Sequence, residues 1–163
     1  MRFLQMIKLA VHSEEIRVSD MFRLDGKVAV VIGGAGGIGE IMAKGMAAQG
    51  AKVAIASRNL DKLTGIAKQI QDETKSETLA VQVDVVKKDS VDKLAETVLK
   101  KFGTVDILVN SQGINTKAPA LGFPEETWNN IFDINVKGTM LACSAFGKTM
   151  IEKKKGKIIN ISS

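Results

Sequence analysis

Residues 28–39 read Val28-Ala29-Val30-Val31-Ile32-Gly33-Gly34-Ala35-Gly36-Gly37-Ile38-Gly39. Five apolar, mostly β-branched residues run straight into a cluster of glycines. Such a run reads as a buried strand. Two glycine registers are possible. Gly34, Gly36 and Gly39 match G-x-G-x-x-G but leave an extra residue after the strand. Gly33, Gly37 and Gly39 match G-x-x-x-G-x-G, with the first glycine directly at the strand end, and this register is preferred. In either register, glycines let backbone N–H groups approach a pyrophosphate at a helix N-terminus, where the dipole favours anions. A P-loop is excluded, because Gly39 is followed by Glu40 rather than by Lys and Ser or Thr.

Outward from this loop, strand and helix patterns alternate. Ile38, Ile41, Met42, Gly45 and Met46 recur at helical spacing over residues 37–49, and Gly50 supplies the stop. Lys52 to Ala56 is a second strand. Asn59 can cap a helix whose inner face is Leu60, Leu63, Ala67 and Ile70. Leu79 to Val83 is a third strand. Val91, Leu94, Ala95, Val98, Leu99 and Phe102 mark a further amphipathic helix closed by Gly103. Val105 to Val109 is a fourth strand, followed by a loop with Gly113, Pro119, Gly122 and Pro124. One long helix is expected from about Glu125 to Lys154, with boundaries uncertain by ~2–4 residues, and then a fifth strand from Lys157 to Ile161. Strands separated by helices of this length predict a parallel sheet with right-handed crossovers. The expected fold class is therefore α/β, a doubly wound parallel sheet of the Rossmann type. Residues 1–20 read as an N-terminal extension and residues 21–163 as one dinucleotide-binding domain.

The second strand bears on which nucleotide is bound. An NAD site usually carries an acid near the end of this strand, facing the ribose 2′-hydroxyl. Here the strand ends Ala56-Ser57-Arg58-Asn59, and the first acid is Asp61. Arg58 offers a cationic fork for a 2′-phosphate. NADP(H) is therefore favoured, with NAD(H) as the alternative.

Composition narrows the function classes. The chain has 163 residues, 45% hydrophobic and 25% charged, as expected of a chain able to form a core. Its net charge is +5, but only 4% of residues are aromatic, and its lysine clusters suit helix ends. No nucleic-acid partner is expected. The one cysteine, Cys143, excludes an internal disulfide and a thiolate metal cluster, and reads as a small core residue. The one histidine, His12, removes most zinc sites and Ser-His-Asp chemistry, so no metal is expected. No run of about 18 apolar residues occurs, so no membrane span is expected. Met1 to Ala10 is interrupted by Lys8 and followed by no small-residue cleavage site. The expected location is the cytoplasm.

With its glycine loop, the sequence resembles the short-chain dehydrogenase/reductase family. That family's glycine motif is T-G-x-x-x-G-x-G, and Ile32 stands where Thr is usual. Val83-Asp84-Val85 resembles the segment whose Asp contacts adenine. Val109-Asn110-Ser111-Gln112-Gly113 is similar to the family's N-N-A-G, with Ser111 and Gln112 as departures. Asp133-Ile134-Asn135-Val136-Lys137-Gly138 resembles the segment that carries the catalytic Asn, here Asn135. Gly156-Lys157-Ile158-Ile159-Asn160-Ile161-Ser162-Ser163 resembles the strand that delivers the catalytic Ser, here Ser163. The resemblance covers residues 22–163. The implied cofactor-binding set is Gly33, Gly37, Ile38, Gly39, Ser57, Arg58, Asn59, Asp84, Val85, Asn110 and Gly113. The segment from Gly113 to Pro119, with Phe123, Glu126 and Trp128, resembles the gluconate 5-dehydrogenase and deoxygluconate dehydrogenase branch. That branch usually carries Arg where Lys117 stands. A cation there could meet a carboxylate substrate, or could equally be an exposed loop lysine.

The resemblance implies hydride transfer between NADP(H) and a secondary alcohol or ketone, on a sugar acid, polyol or other small carbonyl compound. It also implies a homo-oligomer when full length. The family's chemistry uses Asn, Ser, Tyr and Lys, with the Tyr as acid/base for the alcohol proton. Tyr and Lys form Y-x-x-x-K about a dozen residues after the Ser, and this sequence contains no Tyr. The expectation is therefore an N-terminal fragment, inactive by itself, with its sheet cut after the fifth strand and that strand left as an open edge. Apolar positions Trp128, Ile131, Phe132, Val136, Met140, Phe146 and Met150 are expected to lose part of their cover, so the 163 residues should fold poorly or associate. The alternative is a chain that naturally ends here, and binds a dinucleotide or a partner without catalysis. An S-adenosylmethionine methyltransferase is a weaker third reading, since strand two lacks the expected acid.

Overall fold

The computed structural model describes residues 21–162. The extension at residues 1–20, with His12, and the expected catalytic Ser163 lie outside the described residues. The elements follow in the order β1 (Val28–Ile32), α1 (Gly37–Ala48), β2 (Lys52–Ser57), α2 (Leu60–Thr74), β3 (Thr78–Gln82), α3 (Lys88–Phe102), β4 (Ile107–Asn110), α4 (Glu125–Phe132), a π-helical turn (Asp133–Lys137), α5 (Gly138–Glu152) and β5 (Lys157–Asn160). The five strands form one parallel sheet in the order β3-β2-β1-β4-β5. This is the expected Rossmann-type α/β fold.

The continuous apolar strands are explained by cover on both faces. Val28, Val30 and Ile32 of β1 face a core shared with Leu94 and Val98 of α3 and Phe146 of α5. Ala29 and Val31 face the opposite core, shared with Ala43 and Ala47 of α1 and Leu63 and Ile70 of α2. The strand order reverses between β1 and β4, so a crevice opens beyond the carboxyl ends of these two strands.

Several boundaries differ from the sequence reading. β3 spans Thr78–Gln82, not Leu79–Val83, because its ladder pairs Val53 with Thr78 and Ser57 with Gln82. β2 extends to Ser57 for the same reason. β4 begins at Ile107 and includes Asn110, which pairs with both Ile32 and Asn160. β5 ends at Asn160, one residue before Ile161. Apolar character marks which residues are buried, whereas ladder pairing sets where a strand starts and stops.

The helices show two larger departures. On α1, Ile38 and Ile41 are exposed, and the contact face is Gly39, Ala43 and Ala47. Small residues let this helix lie close against the sheet. On α2, Leu60 is 42% exposed rather than inward, as the first helical residue past the end of β2, and Ile66 joins the inner face instead. The expected cap is present: the Lys62 N–H donates to Asn59 Oδ1 at 2.9 Å. Gly103 closes α3 in the left-handed region, as expected.

The single long helix expected over 125–154 is not continuous. A π turn interrupts it at Asp133–Lys137, where the Gly138 N–H reaches back five residues to the Asp133 carbonyl. Such single turns insert one residue into the helical register and re-aim the side chains around them. The cover along this segment is divided. Phe146 and Met150 are buried against the sheet, contrary to expectation, while Trp128, Phe132, Val136 and Met140 are exposed. β5 is exposed at all four residues and forms one edge of the described sheet.

Candidate functional site

The glycine loop leaves β1 at Ile32, and its N–H groups at Gly33 and Gly34 donate to the Ala56 carbonyl at 2.8 and 3.3 Å. Gly33 has φ +87, and a Cβ built on it would lie 2.6 Å from the Ser111 carbonyl. A side chain there would be both strained and obstructed, because β4 exits directly beside the loop. Gly39 is constrained by space alone, since a Cβ would overlap the Gly33 carbonyl oxygen. Gly33 is the first residue after the strand, and Gly34 is obstructed as well, since a Cβ there would lie 2.9 Å from Ile55 Cβ. Gly36 caps α1 without a side-chain hydrogen bond, so no cap side chain occupies the first-turn N–H groups of this helix.

A cleft of about 480 Å³ lies at this end of the sheet. It brings together Gly33, Ser57, Arg58, Asp84, Val85 and Gly113 from the expected set. Ile32, Ala35, Gly36, Gln112, Ile114, Asn130 and Ile134 complete much of its wall. Gly37, Ile38 and Gly39 do not line it. Ile38 is exposed, and Gly39 is buried beneath Gly33. Asn59 does not line it either, since its carboxamide oxygen is engaged as the α2 cap.

Asp84 follows β3 and is held from two sides. Its N–H donates to Ser90 Oγ at 2.9 Å, and its carboxylate lies 3.3 Å from Lys87 Nζ. Ser57 Oγ accepts from the Asn59 N–H at 3.3 Å. The Arg58 side chain is exposed and has no acceptor or carboxylate partner among the described residues, while its backbone carbonyl accepts from Gln82 Nε2.

Two further expected residues act below or beside the cleft. Asn110, 2% exposed, donates from Nδ2 to Asn160 Oδ1 at 2.8 Å and to Cys143 Sγ at 3.4 Å. It ties β4 to β5 and to α5. Cys143 is thus half-buried and serves as an acceptor, rather than as a purely apolar core residue. Asn135 sits in the π turn, and both ends of its carboxamide are engaged. Its Oδ1 accepts from the Ile114 N–H and its Nδ2 donates to the Ile114 carbonyl, both at 2.9 Å. This two-point clamp fixes the loop after β4 against the helix.

Sequence reasoning did not find the polar chain beside that clamp. Gln112 Nε2 donates to Thr139 Oγ1 at 3.0 Å, and Thr139 Oγ1 donates to the Asn135 carbonyl at 2.8 Å. The departure at Gln112 was legible, but Thr139 gave no signal, because its partner Gln112 lies 27 positions away. Gly138 lets α5 lie close to the segment after β3, since a Cβ there would lie 2.9 Å from Val85 Cγ2. No cluster of metal-ligating side chains occurs among the described residues.

The sequence pattern of the short chain dehydrogenase family matches residues 27–163. The chain belongs to this family of oxidoreductases. Among curated relatives, D-threitol dehydrogenase of Mycolicibacterium smegmatis is 38% identical over 151 residues, covering 93% of this chain and 58% of the relative. An oxidoreductase of Staphylococcus saprophyticus is 39% identical over 143 residues, covering 88% and 61%. Among solved structures, a short-chain type dehydrogenase/reductase from Mycobacterium marinum superposes with a TM-score of 0.86 at 33% identity, covering 91% of this chain and 60% of that one. A gluconate 5-dehydrogenase from Burkholderia cenocepacia, in complex with NADP and tartrate, gives 0.84 at 34% identity, covering 90% and 57%. The chain thus spans about three-fifths of the length of these short-chain dehydrogenases. No helix of the described residues is long and apolar enough to cross a membrane.

Proposed function

We propose that this short-chain dehydrogenase transfers hydride between NADP(H) and a secondary alcohol or ketone on a polyol or sugar acid. One observation carries the cofactor preference: Arg58 lines the cleft at the end of β2 with no carboxylate paired to it among the described residues. The nearest acid of the cleft wall, Asp84, pairs with Lys87 instead. An unpaired guanidinium at this position suits a 2′-phosphate, whereas a carboxylate would suit a free ribose hydroxyl. Likeness to a D-threitol dehydrogenase and to a gluconate 5-dehydrogenase supports the substrate class.

The residues present fit the cofactor. Gly33 and Gly39 keep side chains out of the loop, and Gly36 leaves the α1 N-terminus open to a pyrophosphate. Asp84 and Val85 would border the adenine, and Gly113 the far end of the cleft. NADP(H), when bound, supplies or accepts the hydride. Asn135 would hold its end of the site rigid through the Ile114 clamp, and its backbone carbonyl, which already accepts from Thr139 Oγ1, would have one lone pair left for a relay water. Ser163 would hydrogen-bond the reacting oxygen. Lys117, on the exposed loop before α4, would meet the carboxylate of a sugar acid. An alcohol losing hydride from carbon must also lose a proton from oxygen, so a base is required. The family's base is a Tyr phenolate, and residues 1–163 contain no Tyr. The exposed face of Trp128, Phe132, Val136 and Met140 supports self-association.

Fluorescence titration with NADPH and NADH tests the cofactor reading. NADPH should bind at least about tenfold tighter, and Arg58→Gln should remove most of that margin. Equal or tighter NADH binding overturns it. Turnover of threitol and gluconate with NADP, by protein isolated from its natural source, tests the substrate class. Binding without turnover of any polyol or sugar acid would favour a non-enzymatic dinucleotide-binding role.

A further inference from the structure

Lys62 is a cation that the reading above does not use. It stands in the first turn of α2, four residues after Arg58. Its side chain turns back over the glycine loop: the atom nearest to a Cβ built on Gly36 is Lys62 Nζ, at 3.2 Å. Gly36 and Arg58 line the same cleft. Among the described residues Lys62 Nζ has neither a carboxylate partner nor a hydrogen-bond acceptor. Many other lysines on these helices are neutralised by neighbours, as with Lys44 and Glu40 or Lys68 and Asp72. Asp61 lies next to Lys62, but adjacent helical residues point about 100° apart and do not face each other. Two cations without a partner among the described residues therefore come from the end of β2 and the start of α2, and Lys62 reaches the glycine loop at Gly36.

We propose that Lys62 is a second specificity-determining residue, which acts with Arg58 on the 2′-phosphate of NADP(H). The inference rests on the cofactor reading above. The pyrophosphate is already provided for by the open N–H groups of α1, so Lys62 is not needed there. The ribose 2′ position lies at the carboxyl end of β2 in this fold, and Lys62 stands in the first turn of the helix that follows β2. Gly36 leaves room for the ammonium group, which a side chain at that position would displace.

Adenosine 2′,5′-bisphosphate and ADP are the two probes, titrated by calorimetry against the whole chain. Loss of one charge-assisted contact corresponds to about fivefold to tenfold in affinity. Lys62→Gln should weaken the 2′,5′-bisphosphate by that factor and leave ADP within about twofold, and Lys62→Arg should restore most of the difference. A wild-type preference for the 2′,5′-bisphosphate that survives Lys62→Gln overturns the role of Lys62 alone. Equal weakening of both probes also overturns it, by moving Lys62 to the pyrophosphate or to the fold. A wild-type chain without preference overturns the NADP(H) reading together with this one.

Discussion

The β1–α1–β2 unit and the α4–α5–β5 region are built on opposite terms. In the first, all of β1 is buried, and α1 meets the sheet through Gly39, Ala43 and Ala47. In the second, α4 has no buried residue and β5 is exposed throughout. The first region is shaped by removal of side chains, so that backbone can approach backbone and an anion. The second is shaped by specific polar side chains: Asn110, Gln112, Asn135 and Thr139 hold loops, strand and helix together. A cofactor cleft thus has one wall defined by absence and another defined by hydrogen bonds.

The contrast can be broken most sharply at two phenylalanines fourteen positions apart. Phe146→Ala removes a fully buried ring and should cost about 3–5 kcal/mol in urea unfolding. Phe132→Ala, on the exposed face, should cost less than about 1 kcal/mol. Comparable losses would mean that the exposed face is covered in solution. The glycine wall gives the next largest effect. Gly33→Ala combines about 1–2 kcal/mol for a left-handed backbone with ~1–3 kcal/mol for overlap with Ser111. It should abolish NADPH binding in the fluorescence titration.

The polar wall gives a smaller stability change of a different kind. Asn135→Ala strands the Ile114 N–H and carbonyl and should cost about 1–3 kcal/mol. Hydrogen exchange should rise at Ile114 and stay unchanged in β1. The smallest effect lies outside both regions. Lys101 and Lys52 flank Glu77 at 2.7 and 2.9 Å and hold its carboxyl below the usual range. Its contribution is therefore present above about pH 4 and is lost as pH falls through the lowered value. The melting temperatures of wild type and Glu77→Gln should differ at pH 7 and converge on acidification. A difference that grows in acid would reverse the assignment.

The legible part of this protein was the part written in glycine and apolar runs. β1, the glycine loop, the Asn59 cap and the Gly103 stop follow from residues within a few positions of one another. Those features depend on local sterics and on burial of both sheet faces, so they show in the chain itself. The π turn was not legible, because an apolar pattern from 125 to 154 is compatible with an unbroken helix. Asn135 was expected as a site residue, but its clamp on Ile114 spans 21 positions. The same holds for Asn110 and Asn160, fifty positions apart.

By itself, the sequence determined the alternation of strand and helix, the glycine loop and the cation at Arg58. Each is a property of a short segment and of its solvation. Only the tertiary structure decided that Phe146 is covered while Phe132 is exposed. It alone brought Lys62 over Gly36 and Gln112 to Thr139. Those outcomes depend on which elements pack against which, and the energies that select them come from contacts between residues the chain keeps far apart.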